Sequence, residues 1–319
     1  MHDMSLQQTL SYPPDTSTTR FLGANMKISF RKLIPVVAAL GFAFAGSSAQ
    51  AFTLKDGTNV LASDATTLDW NASGSGVAKG VGPFGTPLTV GQNFQFLYQS
   101  NLASVDGNPT ILFNGLDSTA NGTKDTAAGK NYEFTIVAML NETVTSTTGT
   151  HATFGLAPGD NKVAIYYDTA ANASTTGGTG FDDGTLIALL TIVPENTQSE
   201  FTVTAPGAGQ GSTKITARIA DAGDFIDPAY LQGVSEMLFG VNFESNLNYP
   251  AGNSSTNNFQ IGGSSMFPDY VAGNNDIVFK VDGSNTFTNA VPEPGTMMLL
   301  GMGMLGFVGA QRRRRAPKA

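Results

Sequence analysis

Within residues 52–290, apolar and aromatic residues come in short runs of strand length bounded by turn dipeptides, and many runs alternate apolar with polar positions. In Tyr132-Glu133-Phe134-Thr135-Ile136 the alternation sets Tyr132, Phe134 and Ile136 on one face, and residues 276–281 behave in the same way. The clearest runs are 93–98, 110–113, 132–140, 162–167, 185–193, 200–204, 214–219, 238–243 and 276–281. A period of two with one apolar face predicts half-buried strands. No stretch sustains a helical period; residues 220–237 are the best place for a short helix, with Asp227-Pro228 as its start signal.

Turn chemistry points the same way. Asp56-Gly57, Asp106-Gly107, Asn114-Gly115, Asn121-Gly122, Asp183-Gly184 and Asp282-Gly283 can all supply the positive φ of tight turns. Stretches 143–149, 170–180 and 250–265, rich in Thr, Asn, Ser and Gly, are expected to be surface loops. The pattern predicts an all-β domain, a two-sheet sandwich or jelly roll. No internal repeat of fixed period is visible.

Composition supports a folded core, since 41% of the 319 residues are hydrophobic and only 13% are charged. The formal net charge of -8 hides an uneven distribution. Residues 52–290 hold 22 acidic and 8 basic residues, a net charge of -14 for the β domain. Such a surface repels nucleic-acid phosphates and suits cations, neutral glycans or plain solubility. The absence of cysteine excludes disulfides, thiolate zinc sites and cysteine nucleophiles. A β domain of this size folds without such staples.

The basic residues gather at the ends. Residues 26–51 have the form of a secretory signal peptide: basic Lys27, Arg31 and Lys32, an apolar stretch over 33–45, and small residues closing in Ala49-Gln50-Ala51. Cleavage after Ala51 by signal peptidase leaves Phe52 first. Residues 1–25 are polar and rich in Pro, Ser and Thr, so they are expected to lack regular structure and translation is expected to start at Met26.

At the other end, residues 291–319 combine three parts in order. Val291-Pro292-Glu293-Pro294 holds the backbone extended, because two prolines forbid helix, and an extended peptide is what a processing enzyme can read. The apolar stretch 295–310 reaches about 24 Å as a helix, a short single transmembrane span. Arg312, Arg313, Arg314 and Arg315 form a membrane stop that fixes the tail on the cytoplasmic side, so Pro294 and the domain before it face outward.

These three parts resemble the PEP-CTERM sorting signal of exopolysaccharide-producing Gram-negative bacteria, which is read by the membrane protease exosortase. The resemblance implies an exosortase-like partner, an inner-membrane intermediate and final delivery to the cell surface or extracellular matrix. A second set of segments, Lys162-Val163-Ala164-Ile165-Tyr166-Tyr167-Asp168, Phe181-Asp182-Asp183-Gly184-Thr185-Leu186-Ile187-Ala188, residues 239–246 and Asp276-Ile277-Val278-Phe279, resembles the flocculation-associated PEP-CTERM proteins. That resemblance implies a role in retaining exopolysaccharide and building flocs or biofilm. The same tail also occurs in proteins named for ice binding, which keeps a polysaccharide- or ice-binding module as the alternative. No strict Thr array of the kind that suits ice is visible, and Trp70 with exposed tyrosines are the stacking candidates for a glycan.

Catalytic constellations are not evident, and a non-enzymatic protein without an obligate cofactor is expected. His151 is the lone histidine of the domain and has no acid beside it in sequence. The acidic clusters Asp182-Asp183 and Asp221, Asp224, Asp227 could serve glycoside hydrolysis only at a separation that sequence does not set. Calcium, a ligand of carboxylates in Gly-containing loops, has its candidate ligands in Asp168, Asp182 and Asp183. The Asn-x-Ser/Thr triplets at Asn71, Asn121, Asn141, Asn172 and Asn253 are the chance yield of a Thr- and Asn-rich chain.

Overall fold

Alternating β-branched and aromatic residues between glycine turns build strands throughout, and the computed structural model contains no helix among its described residues, which are 51–106, 115–124, 129, 131–245, 258–262 and 266–288. In chain order the strands are β1 (Phe52–Lys55), β2 (Val60–Ala65), β3 (Thr67–Trp70), β4 (Gly74–Lys79), β5 (Asn93–Val105), β6 (Glu133–Thr148), β7 (His151–Leu156) and β8 (Lys162–Asp168). They continue with β9 (Thr185–Ala205), β10 (Ala208–Arg218), β11 (Phe225–Ile226), β12 (Leu231–Gln232), β13 (Glu236–Ser245), β14 (Gln260–Ile261), β15 (Tyr270–Val271) and β16 (Ile277–Thr288).

Eleven of these strands form one antiparallel sheet whose hydrogen bonds close on themselves. The circuit runs β5, β6, β8, β9, β10, β13, β16, β4 and back to β5. Two positions in the ring are shared by a pair of short strands. β3 and β4 both lie between β5 and β16, and β7 and β8 both lie between β6 and β9. From β4 to β16 the ring follows chain order, with β11, β12, β14 and β15 in the connections, and β16 closes it by pairing with β4 and β3. Of the two expected architectures the sandwich is realised: Tyr98 of β5 meets Phe239 of β13 at 5.4 Å between ring centroids, and Phe201 of β9 meets Phe279 of β16 at 5.5 Å. These strands are not ring neighbours, so the closed sheet is flattened until its opposite walls pack like two layers.

The inner face carries the main core, with Phe96, Tyr98, Phe134, Ile136, Leu140, Ile165, Leu190, Phe239 and Phe287 among its members. A second core lies on the outer face of β16, β4, β5, β6 and β8, where Val278, Val77, Leu97, Val137 and Tyr166 are covered by Phe181, Phe259, Ile261 and Phe267 from the long connections. Strands β5 and β6 are therefore apolar on both faces over much of their length. The small sheet β12-β1-β2 adds Phe52, Leu54, Ala62 and Leu231 to the main core.

Several expectations are corrected. Residues 220–237 form no helix but tight turns, two two-residue strands and the start of β13. Asp224 Oδ2 accepts the Ala220 and Asp221 N–H groups, and Asp227 Oδ1 accepts that of Ala229, so carboxylates take the donors a helix would have used. The stretch 143–149 is not a loop: β6 continues to Thr148, where Thr145, Ser146 and Thr153 link their hydroxyls across the β6–β7 pair at 2.8 Å. The runs 185–193 and 200–204 are one strand, β9, interrupted by a register shift at Pro194, which has no N–H to pair, and Asn196, whose φ is 62°. Asp282-Gly283 is no turn but lies inside β16, where a Cβ on Gly283 would stand 2.6 Å from Tyr98 Oη. Gly57, Gly115 and Gly122 do take positive φ. Run 110–113 and most of stretch 250–265 lie outside the described residues.

Candidate functional site

The acidic candidates are dispersed into local hydrogen bonds. Asp168 Oδ1 accepts the Ala170 N–H at 2.7 Å, Asp183 Oδ2 accepts from Asn172 Nδ2 at 3.1 Å, and buried Asp182 Oδ2 accepts the Gly262 N–H at 3.3 Å. Among the described residues no group of three His, Cys, Asp or Glu side chains is placed to hold a metal ion. Asp221 and Asp224 converge on one cation instead: Lys162 Nζ lies 2.8 Å from a carboxylate oxygen of each. Burial pushes Asp224 up, but Lys162, Thr191 and two backbone N–H groups outweigh it and hold the carboxyl at about 2. Asp227 stays apart in its own turn.

Trp70 is not a stacking platform. It is 1% exposed, at the heart of the core, and its Nε1 donates to Asn285 Oδ1 at 2.8 Å. The described tyrosines are also withdrawn from the surface: Tyr98, Tyr132 and Tyr166 are buried and Tyr167, Tyr230 and Tyr270 half-buried.

The features that sequence reasoning missed are two buried glutamates on β6. Glu133 Oε1 accepts the N–H groups of Asn172 and Ala173 at 2.7 and 2.9 Å, which pins the long β8–β9 connection to the outer face. Burial raises its carboxyl to about 8 against the pull of those two donors. Glu142 lies on the inner face, at the same parity as Phe134, Ile136, Ala138 and Leu140. That parity was available in the sequence, but ending the strand at Leu140 hid it.

Glu142 is 2% exposed and lines a cavity of about 380 Å³ at one end of the closed sheet. The β4–β5 connection contributes Phe84 and Leu88, β5 contributes Phe94 and Phe96, β7 Phe154, β9 Phe201 and Val203, and β16 Phe279. Phe94 packs edge-on to Phe154 at 5.1 Å, and Phe84 packs on Phe201 at 6.3 Å. Burial raises the Glu142 carboxyl to about 7, with the Ser199 hydroxyl pulling the other way. His151 stands in the same lining, its Nδ1 2.9 Å from Thr202 Oγ1 and its Nε2 4.0 Å from Glu200 Oε2. The structure thus gives the lone histidine acidic company that its sequence neighbours did not.

The sorting residues Val291, Pro292, Glu293 and Pro294, the arginines 312–315 and the leader through Ala49 lie outside the described residues. Ala51 is exposed, and Phe52, the first residue after the expected cleavage, is buried at the start of β1. Comparison with known families matches residues 290–315 to the PEP-CTERM protein-sorting motif. No curated protein and no solved structure matches the chain. The matched motif marks an exported protein that exosortase processes, with a membrane-anchored intermediate before surface display.

Proposed function

We infer, from the premise that the chain carries the PEP-CTERM address, that it is an exported, non-enzymatic β protein of a Gram-negative bacterium that works in the exopolysaccharide matrix or floc. The motif at 290–315 is the observation that carries this reading. The acidic β domain suits a hydrated, uncharged or cation-bridged polymer environment. The segments that resemble flocculation-associated proteins coincide with wall strands: β8, the start of β9, β13 and the start of β16. They bear on a shared scaffold rather than on a shared ligand surface.

Deleting residues 291–319 tests the reading. Loss of surface retention, together with impaired flocculation, is the expected result. Unchanged retention and unchanged flocculation sink it, while lost retention with normal flocculation keeps the address and removes the matrix role. Polysaccharide binding through stacked aromatics, the second possibility raised by the sequence, loses Trp70 as its platform.

A further inference from the structure

Two carboxyls are buried on the same strand, and they are treated differently. Glu133 Oε1 is tied off by two backbone N–H groups. Glu142 Oε1 is buried with no hydrogen-bond partner among the described residues, and Glu142 lines a cavity whose walls are otherwise mostly phenylalanine and aliphatic carbon. The Ser199 hydroxyl is the one donor that acts on the Glu142 carboxyl, and leaving its Oε1 unmade is costly, so a purely structural carboxyl at this position would be expected to find a second donor as Glu133 does.

We propose that this cavity is a binding site for a small apolar ammonium compound, its hydrocarbon body among the phenylalanines and its cationic head at the Glu142 carboxyl.

The size falls within the range of small-molecule sites, about 300–1,000 Å³. Phe96, Phe201 and Phe279 line the cavity, and an aromatic ring attracts a desolvated cation through its quadrupole. No lysine or arginine contributes to the lining, and His151 is its one other titratable side chain, with the Glu200 carboxylate beside it. The net charge of -14 over residues 52–290 adds a field that draws cations and repels carboxylate ligands. Burial leaves Glu142 near half-ionised at neutral pH, and an ammonium partner would complete the ionisation.

The position of the mouth agrees. Ile277 and Phe279, at the start of β16, line the cavity, whereas the chain runs on toward the sorting tail from Thr288 at the other end of the same strand. At about 3.3 Å per residue the strand separates the two by roughly 30 Å. The cavity and the strand end that continues into the sorting tail therefore lie at opposite ends of β16. The inference concerns the described domain and holds whether or not the matrix role does.

Calorimetric titration of the processed protein at pH 8 with benzylammonium chloride, and in parallel with benzyl alcohol, tests the site. The expected result is saturable one-to-one binding of benzylammonium, weaker by roughly tenfold or more for the alcohol and for the Glu142→Gln protein, as a charge-assisted contact requires. Glu142→Gln removes a buried ionisable group, and its melting temperature, measured alongside, is expected to match or exceed the parent's. His151 is the one histidine after Phe52, so its ring resonances report occupancy at this cavity without a mutation. Absence of saturable binding, equal affinity for the alcohol, equal affinity in Glu142→Gln, or an unmoved His151 signal would each overturn the proposal.

Discussion

The rings of Phe52 and Phe287 meet edge to face, their centroids 4.8 Å apart and their planes at 72°. Phe52 opens β1 and Phe287 is the penultimate residue of β16, so the first residue of the expected mature chain packs on the strand that leads to the sorting tail. Both are almost fully buried. Phe52→Ala is expected to cost about 3 kcal/mol of stability, the lower end for a buried Phe→Ala change, and to lower the urea midpoint accordingly. An unchanged midpoint would mean that the contact holds nothing together.

The two buried glutamates should give the domain an inverse pH profile. A carboxyl raised on folding is neutral in both states below about 4.5, where it costs nothing. Above that pH the unfolded chain ionises while the folded one keeps its proton, so stability falls, until Glu142 ionises in the fold at about 7 and Glu133 at about 8. Each group opposes folding by up to about 1.4 kcal/mol per pH unit within its window. Urea melts from pH 5 to pH 9 should show the parent weakening with pH and Glu133→Gln weakening less. A flat parent profile would exclude the effect.

Asp221 and Asp224 share Lys162 but should not share its importance. The Asp224 side chain is fully buried and also accepts from the Thr191, Ala220 and Asp221 backbone N–H groups, whereas Asp221 is largely exposed. Asp224→Ala is expected to cost about 3 kcal/mol, as removal of one partner from a buried pair does. Asp221→Ala should be barely measurable, as exposed pairs are. Because the Asp224 carboxyl is depressed to about 2, its contribution is present above about pH 4 and fades as pH falls toward 2. Thermal melts of the two variants at pH 7 decide the contrast.

Gly283 and Tyr98 form a matched pair across the flattened ring. A Cβ at Gly283 would lie 2.6 Å from Tyr98 Oη, and that hydroxyl is buried without a hydrogen-bond partner among the described residues. Gly283→Ala is expected to destabilise by about 1–3 kcal/mol, the usual cost of overpacking. Tyr98→Phe should be close to neutral alone and should restore much of the loss in the double variant. A double-mutant cycle by urea denaturation with no coupling would show that the hydroxyl is not what excludes the side chain.

What was legible in the sequence was whatever is local. The inward set Phe134 and Ile136 follows from a period of two, and the sorting tail can be read because its motif, apolar stretch and arginines adjoin one another in the chain. What was hidden depends on partners distant in the chain. Asp282-Gly283 has the composition of a turn, and only Tyr98, far away in sequence, shows why a glycine sits inside a strand. Thr145 and Ser146 look like loop residues until His151–Leu156 supplies the Thr153 hydroxyl to pair with, and with that strand end went the inward parity that marks Glu142. Residues 220–237 have helix-start chemistry, yet Asp224 is claimed by Lys162 and Thr191 from β8 and β9.

β16 is bonded to β13 from Phe279 to Thr288 on one side, and to β4 and then β3 on the other. A pull exerted through Thr288 along that strand would strain both rows of hydrogen bonds lengthwise and together, as in a lap joint, rather than opening them one after another as in a zip. Because the ring closes, β16 is held by strands on both flanks. For a protein addressed to the outside of a cell and anchored at a membrane by its C-terminal end before surface display, the last strand is also the one best seated to bear the load.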